Sequence, residues 1–315
     1  IAENTVLEGE FDPDTNHLFL FLQSPRIDFY DNTWNNVYFN CQSNDNIFSI
    51  ISGSQNLVFR NKINLENLTI YSDISDDSIS FVTRWNNWDT VLYKGELKVI
   101  TRFEKSTGHK IPLISMEILP TKIINADTLW NVNRSNILVD SSSILVNNFS
   151  INHDKQYLRL DGKISVEPTD KFSIEFEDFN LGNLNIFTRS GGFEIKGILN
   201  GNASVTDLYK NLLFYSSLTV DTLVINNERL GYTIINSIWD NNKKSVNINA
   251  IAKRGQLNTF AVSGDYFPKD NGKIKLDVEL NKLRLNIINP YFQNAFTDFR
   301  GIASGNLALT GNTSK

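Results

Sequence analysis

At 315 residues and 35.8 kDa the chain can bury a sizeable core without disulfide or metal staples, and 41% hydrophobic residues make it ordered and globular. Thirty basic against 35 acidic residues, a net charge of −5 and no basic run exclude a phosphate-driven nucleic-acid surface. One cysteine and three histidines exclude an internal disulfide and a Cys/His zinc site, and the longest apolar run, Leu18–Leu22, is far short of a spanning helix.

Taken in chain order, the segments beat with period two. Val37-Tyr38-Phe39-Asn40-Cys41 alternates so that Cys41 shares the face of Val37 and Phe39, which predicts a small buried apolar residue. Ile63 to Ile70 and Leu97-Lys98-Val99 follow, then a predicted seam over Ser106 to Pro120, where Pro112 and Pro120 bracket a short strand. Leu158-Arg159-Leu160 and Phe172-Ser173-Ile174-Glu175-Phe176-Glu177 are half-buried strands by the same beat. So are Leu218-Thr219-Val220-Asp221, Val246 to Ala250 and Ile274 to Leu280. Dipeptides Ser52-Gly53, Thr107-Gly108, Asp161-Gly162, Asn200-Gly201, Ser263-Gly264 and Asn271-Gly272 read as hairpin turns. Asparagine, 42 residues of 315, falls on the polar beat and in turns, where it bonds backbone locally. Helical spacing is confined to about Leu181–Thr188 and about Ile287–Phe296, each short and each equally readable as an irregular connection. The predicted class is all-β: an antiparallel sheet with one or two short helices.

The chain also resembles itself. Gly197-Ile198-Leu199-Asn200-Gly201 matches Gly301-Ile302-Ala303-Ser304-Gly305 at an offset of 104, and the offset persists upstream through Ile174/Val278 and Phe179/Leu283. Gly197, Gly201, Gly301 and Gly305 are therefore read as repeat turns. No Pro/Gly/Ser linker separates the copies, so residues 1–110, 111–205 and 206–315 read as consecutive stretches of one elongated sheet.

A sheet that is apolar on one side must cover that side, by a second sheet, by closure into a barrel, or by curling into a trough filled by something else. The lack of linkers favours the trough; about 24 strands at about 4.8 Å would make it on the order of 115 Å long. Its predicted lining is Leu158, Leu160, Phe172, Ile174, Phe176, Leu218, Val220, Val246, Ile248, Ile274, Leu276, Val278 and Leu280, with no charge among them. A 16-carbon acyl chain exposed to water costs about 13 kcal/mol at about 0.8 kcal/mol per methylene, so such a trough suits phospholipid acyl chains. The beat itself shows which face is apolar and not what covers it, and an ordinary dry core fits the same residues.

Strand, G-x-x-x-G and alternating strand recur from Trp130-Asn131-Val132 through Ile144 to Ile151, Leu158 to Ser165, Phe172 to Phe176 and Gly197 to Gly201, and on to Gly301–Gly311. In this combination the chain resembles the TamB family of the AsmA-like, bridge-forming lipid-transfer superfamily, well over residues 130–311 and loosely before. The resemblance implies an internal stretch of a periplasmic envelope protein anchored in the inner membrane, with a curled β-sheet carrying an apolar groove. It further implies a role in phospholipid transport and outer-membrane biogenesis, and an outer-membrane barrel partner bound through a region outside this chain.

Other signals are weaker. Asp12-Pro13-Asp14-Thr15-Asn16 begins like a calcium loop, but His17 stands where glycine is required and Gln23 where the bidentate glutamate belongs. Glu175 and Glu177, about 7 Å apart on one face, alternate with apolar residues and read as a solvated surface. No nucleophile, metal or phosphate motif points to an enzyme or a cofactor. Trp34, Trp85, Trp88, Trp130 and Trp239 permit an alternative, an extracellular module binding carbohydrate or protein through exposed tryptophan and asparagine. A parallel β-helix is third, lacking a repeat of about 20 residues.

Overall fold

Alternation sustained over ten or more residues yields long strands, and the fold is built from little else. The computed structural model describes residues 3–44, 47–59, 63–105, 112–188, 192–207, 213–288 and 300–312. The chain divides into two compact units, Ile1–His153 and Asp154–Lys315.

In the first unit β1 (Val6–Asp12), β2 (His17–Phe29), β3 (Asn32–Asn44), β4 (Ile47–Phe59), β5 (Ile63–Ser75), β6 (Ser78–Asn86) and β7 (Tyr93–Glu104) pair antiparallel in sequence order. Both β8 (Leu113–Ile118) and β9 (Thr121–Asn125) lie along β7. Next come β10 (Thr128–Val132) on β9, β11 (Ser135–Val139) on β8, and β12 (Ser143–His153) along both. Along β7 the register shifts by one residue between β8 and β9, with Val99 opposite Ile118 but Gly95 opposite Ile123, so Leu119 and Pro120 fall together opposite Lys98. The Leu119 N–H donates to the Lys98 carbonyl at 3.0 Å, whereas proline has no N–H to donate, and β8 and β9 part at this bulge. Asn133, opposite Pro120, turns its N–H the other way, to the Ser150 carbonyl at 3.0 Å. The short strand predicted between Pro112 and Pro120 is β8.

The second unit is a plain antiparallel meander of β13 (Gln156–Ser165), β14 (Lys171–Asn180), β15 (Ile195–Thr206), β16 (Leu213–Ile225), β17 (Glu228–Asp240), β18 (Ser245–Arg254), β19 (Leu257–Phe267), β20 (Lys273–Arg284) and β21 (Ile302–Asn312). Among the described residues helix is reduced to a 3-10 turn at Leu181–Leu184, the single-turn α1 (Asn185–Thr188) and a 3-10 turn at Leu285–Ile288. The first two fill the predicted Leu181–Thr188 segment. Asn180 starts them, its side-chain oxygen accepting from the Gly182 N–H at 2.8 Å. Of the second predicted helix, residues 289–296 lie outside the described residues.

The turn reading of the glycines is corrected by the structure. Gly53, Gly162, Gly201 and Gly264 sit inside β4, β13, β15 and β19, and so do Gly197 in β15 and Gly305 in β21; Gly301 directly precedes β21; Thr107-Gly108 lies outside the described residues. Of the dipeptides, Asn271-Gly272 does lie in a connection. The physical reason is clear at Gly201, whose φ of +118° is open to glycine and where an added Cβ would collide with the Ser217 carbonyl.

The 104-residue repeat is a structural unit. A bulge between Phe176 and Phe179, with Asp178 at φ 46°, recurs between Leu280 and Leu283, with Lys282 at φ 52°. At each, the bulged N–H is held by a side chain on the returning strand: Asp178 donates to Asn200 Oδ1 at 2.8 Å, and Lys282 to Ser304 Oγ at 2.9 Å. A 3-10 turn follows in both copies. The register shifts of β15–β16, β16–β17 and β18–β19 fall on the same line across the second unit, at Lys196/Ile198, Val220/Leu223 and Ala252/Lys253. A bulge bends its strand and increases the local twist, so a line of them creases the sheet. Beside that crease Leu230 (0% exposed), Ala252 (0%) and Leu283 (3%) pack with Leu223, Ile225, Phe260, Leu280 and Ile287 into a sealed core. Thr259 Oγ1 donates to the Leu230 carbonyl at 2.6 Å and Asn226 Nδ2 to the Ile287 carbonyl at 2.8 Å, tying β17 and the 3-10 turn to it. In the first unit Val99, Ile118 and Val132 form the comparable cluster.

Candidate functional site: an uncharged sheet face

Residues directly opposite on paired strands share a face, so the registers fix which side chains lie together. In the second unit one row runs Leu158, Phe176, Gly201, Leu218, Ile235, Ala250, Val262, Val278, Leu307. Beside it run Leu160, Ile174, Ala203, Ser216, Ser237, Ile248, Gly264, Leu276, Leu309. Phe172 pairs with Val205, and Trp239, Val246, Tyr266 and Ile274 continue that level; Val220, Thr233, Ala252, Phe260 and Leu280 line the level next to the crease. All thirteen residues predicted as lining therefore lie on one face. No Asp, Glu, Lys, Arg or His occurs in these rows, whereas Arg159, Lys171, Glu175, Glu177, Lys275, Asp277 and Glu279 take the alternating positions on the other. There Glu175 pairs across from Arg159, which accounts for it as surface.

The first unit repeats the pattern. One row runs Leu20, Cys41, Ile50, Ser72, Phe81, Val99, Ile118 and a second Leu22, Phe39, Ser52, Ile70, Thr83, Leu97, again without charge. Cys41 is buried, 7% exposed. These rows were not singled out from the sequence, because serines and threonines interrupt their apolar beat. Their signal is the absence of charge at every second position. The ion pairs stay on the opposite face: Glu96 bridges Lys98 at 2.9 Å and Arg84 at 2.6 Å, and those two bonds hold its carboxyl below its ordinary range, Lys98 contributing most. Such exposed pairs contribute little stability.

Burial distinguishes this face from an ordinary core. Of the thirteen residues predicted as lining only Val220 (2%) and Val246 (7%) are buried; the other eleven are half-buried. On β21, Leu307 and Leu309 are 56% and 50% exposed, and on β1 Leu7 and Phe11, opposite Leu22 and Leu18, are 66% and 62% exposed.

The remaining signals fall out as follows. Asp12 accepts from the Asp14 N–H at 2.9 Å and Thr15 Oγ1 at 2.8 Å, the bonding of an exposed turn. Among the described residues no group of His, Cys, Asp or Glu could hold a metal ion. Trp130 and Trp239 are buried on the uncharged face, and Trp85 lies there over Gly95, where an added Cβ would strike its ring. Trp88 alone of the five is largely exposed, at 75%. No described helix is long and apolar enough to cross a membrane. Comparison with protein families, with curated proteins and with solved structures finds no match.

Proposed function

We propose that the chain is a periplasmic segment of an inner-membrane-anchored envelope protein, and that each unit's uncharged face is a trough for phospholipid acyl chains. The observation that carries this is the pairing of two properties on one face: no charge from Leu158 to Leu309, and partial access at eleven of thirteen lining residues. A dry core needs the first but not the second. The crease supplies a physical means of curling, since bulges bend the strands towards the sealed cluster around Leu230 and leave the outer rows on an open side. Acyl chains then complete the burial that protein leaves unfinished, at about 0.8 kcal/mol per methylene. The resemblance to the TamB family agrees with this reading and adds the setting: phospholipid movement in outer-membrane biogenesis, with a barrel partner bound elsewhere in a longer protein. The activity is transport without catalysis. The alternative, a module whose main surface is a set of displayed tryptophans, is disfavoured by the burial of Trp130 and Trp239, which leaves Trp88 alone largely exposed.

The test is native mass spectrometry of the protein purified from a membrane-containing host, followed by solvent extraction. Co-purified phospholipid, lost on extraction and regained from fluorescent phospholipid, is expected. Protein that stays folded and never takes up lipid would overturn the proposal.

A further inference from the structure

The charged face of the first unit carries a hollow of about 610 Å³ between β5, β6, β7, β9 and β10. Its volume falls in the range of small-ligand sites, about 300–1,000 Å³. Three features converge on it. Trp88, on its wall, is 75% exposed and sits at φ 55°, a left-handed backbone that is an outlier for a bulky residue. The conformation is enforced. The Asn86 Oδ1 accepts from the Trp88 N–H at 3.0 Å, while Asn87 donates through Nδ2 to the Val91 carbonyl at 2.7 Å and accepts from the Tyr93 N–H at 3.0 Å. A loop strained to hold an indole out in water gains nothing for the core, and such strain marks sites of use. Second, Leu129, 42% exposed, and Ile124 give the opposite wall an apolar character. Third, Lys94 and Lys122 line it with no ion-pair partner among the described residues, while Arg84 is already engaged by Glu96.

We propose that this hollow binds an acidic oligosaccharide, with the Trp88 indole against the apolar face of a sugar ring and Lys94 and Lys122 on its carboxylate. A concave site with one displayed indole suits a ring that is apolar on its faces and polar at its edge. Two unpaired lysines select the anionic member of that class. A membrane surface would need a convex patch. The site is separate from the uncharged face and does not depend on the lipid reading.

The experiment is titration calorimetry with tri-galacturonate, and with neutral maltotriose as comparator, on the full chain, Trp88→Ala and the double variant Lys94→Gln/Lys122→Gln. Circular dichroism confirms that each variant is folded. The expected result is saturable tri-galacturonate binding, weakened about tenfold or more in Trp88→Ala. The double variant should bind the two sugars alike. Absence of tri-galacturonate binding at about 10 mM, or equal binding by Trp88→Ala, would overturn the proposal. So would Trp88-dependent binding of anionic phospholipid vesicles without binding of the sugar.

Discussion

Asp140 illustrates how single polar residues hold this fold together at its turns. It accepts from the Ser142 N–H and the Ser143 N–H, both at 2.7 Å, and from the two serine hydroxyls at 2.9 and 2.8 Å, which closes the connection from β11 to β12. Those bonds, led by the Ser142 N–H, bring its pKa down to about 2. A depressed carboxylate stabilises the fold above its unfolded pKa of about 3.9 and loses that contribution as pH falls towards 2. Carbon-detected NMR titration should therefore find Asp140 titrating near 2, and a midpoint near 4 would contradict the bonding described. On the uncharged face, Leu276→Asp places a carboxylate in a row of nine uncharged residues, between Gly264 and Leu309. Burying it without a partner costs several kcal/mol, so acyl binding should fall about tenfold while circular dichroism stays that of a sheet. Folded Leu276→Asp protein that binds fluorescent phospholipid as before would count against the lining role. At this scale the sequence was informative: alternation placed the thirteen residues proposed as lining on one face, as the registers have them, and Cys41 in the interior. The glycines were misread, because an Asn-Gly or Ser-Gly pair looks the same in a hairpin and in a strand where the neighbouring backbone comes too close for a Cβ.

The element that organises the second unit is the bulge. Asp178 and Lys282 each add one residue to a strand at a positive φ, and in β20 the extra residue sends both Leu280 and Leu283 to the same core. Deleting Lys282 would leave Leu283 two residues from Leu280 and so on the same face, which makes the core itself, and not the extra residue, the point to test. Leu283→Ala removes a leucine that is 3% exposed, at a cost of about 2–5 kcal/mol, so it should lower the denaturation midpoint and remove amide protection from β17 and β20 ahead of β14. An unchanged midpoint would show that the core beside the crease is incidental. The 104-residue repeat was legible as paired glycines and alternating strands, but its bulges were not, since Lys282 is not a residue type that announces a left-handed backbone and Asp178, of a type enriched there, is one aspartate among many. Pro120 was legible as the end of a short strand, but the bulge that it makes with Leu119 opposite Lys98 was not.

Across the whole chain, the class was readable because period two is local, and the meander because short connections join neighbouring strands. Half-burial was not readable: it depends on how far a sheet bends, which is set by bulge positions spread over more than a hundred residues. The same limit hid the hollow beside Trp88, which joins residues from five strands and a strained loop. The central claim is that the uncharged face holds acyl chains, and it predicts a difference between neighbouring residues on one strand. The direct measurement is photocrosslinking in cells, with a photoreactive amino acid at Leu218 or Val262 on the uncharged face and at Ser217 or Ser263 on the other. Phospholipid adducts at Leu218 and Val262, and none at Ser217 and Ser263, are predicted. Adducts at all four positions alike, or at none, would contradict the account.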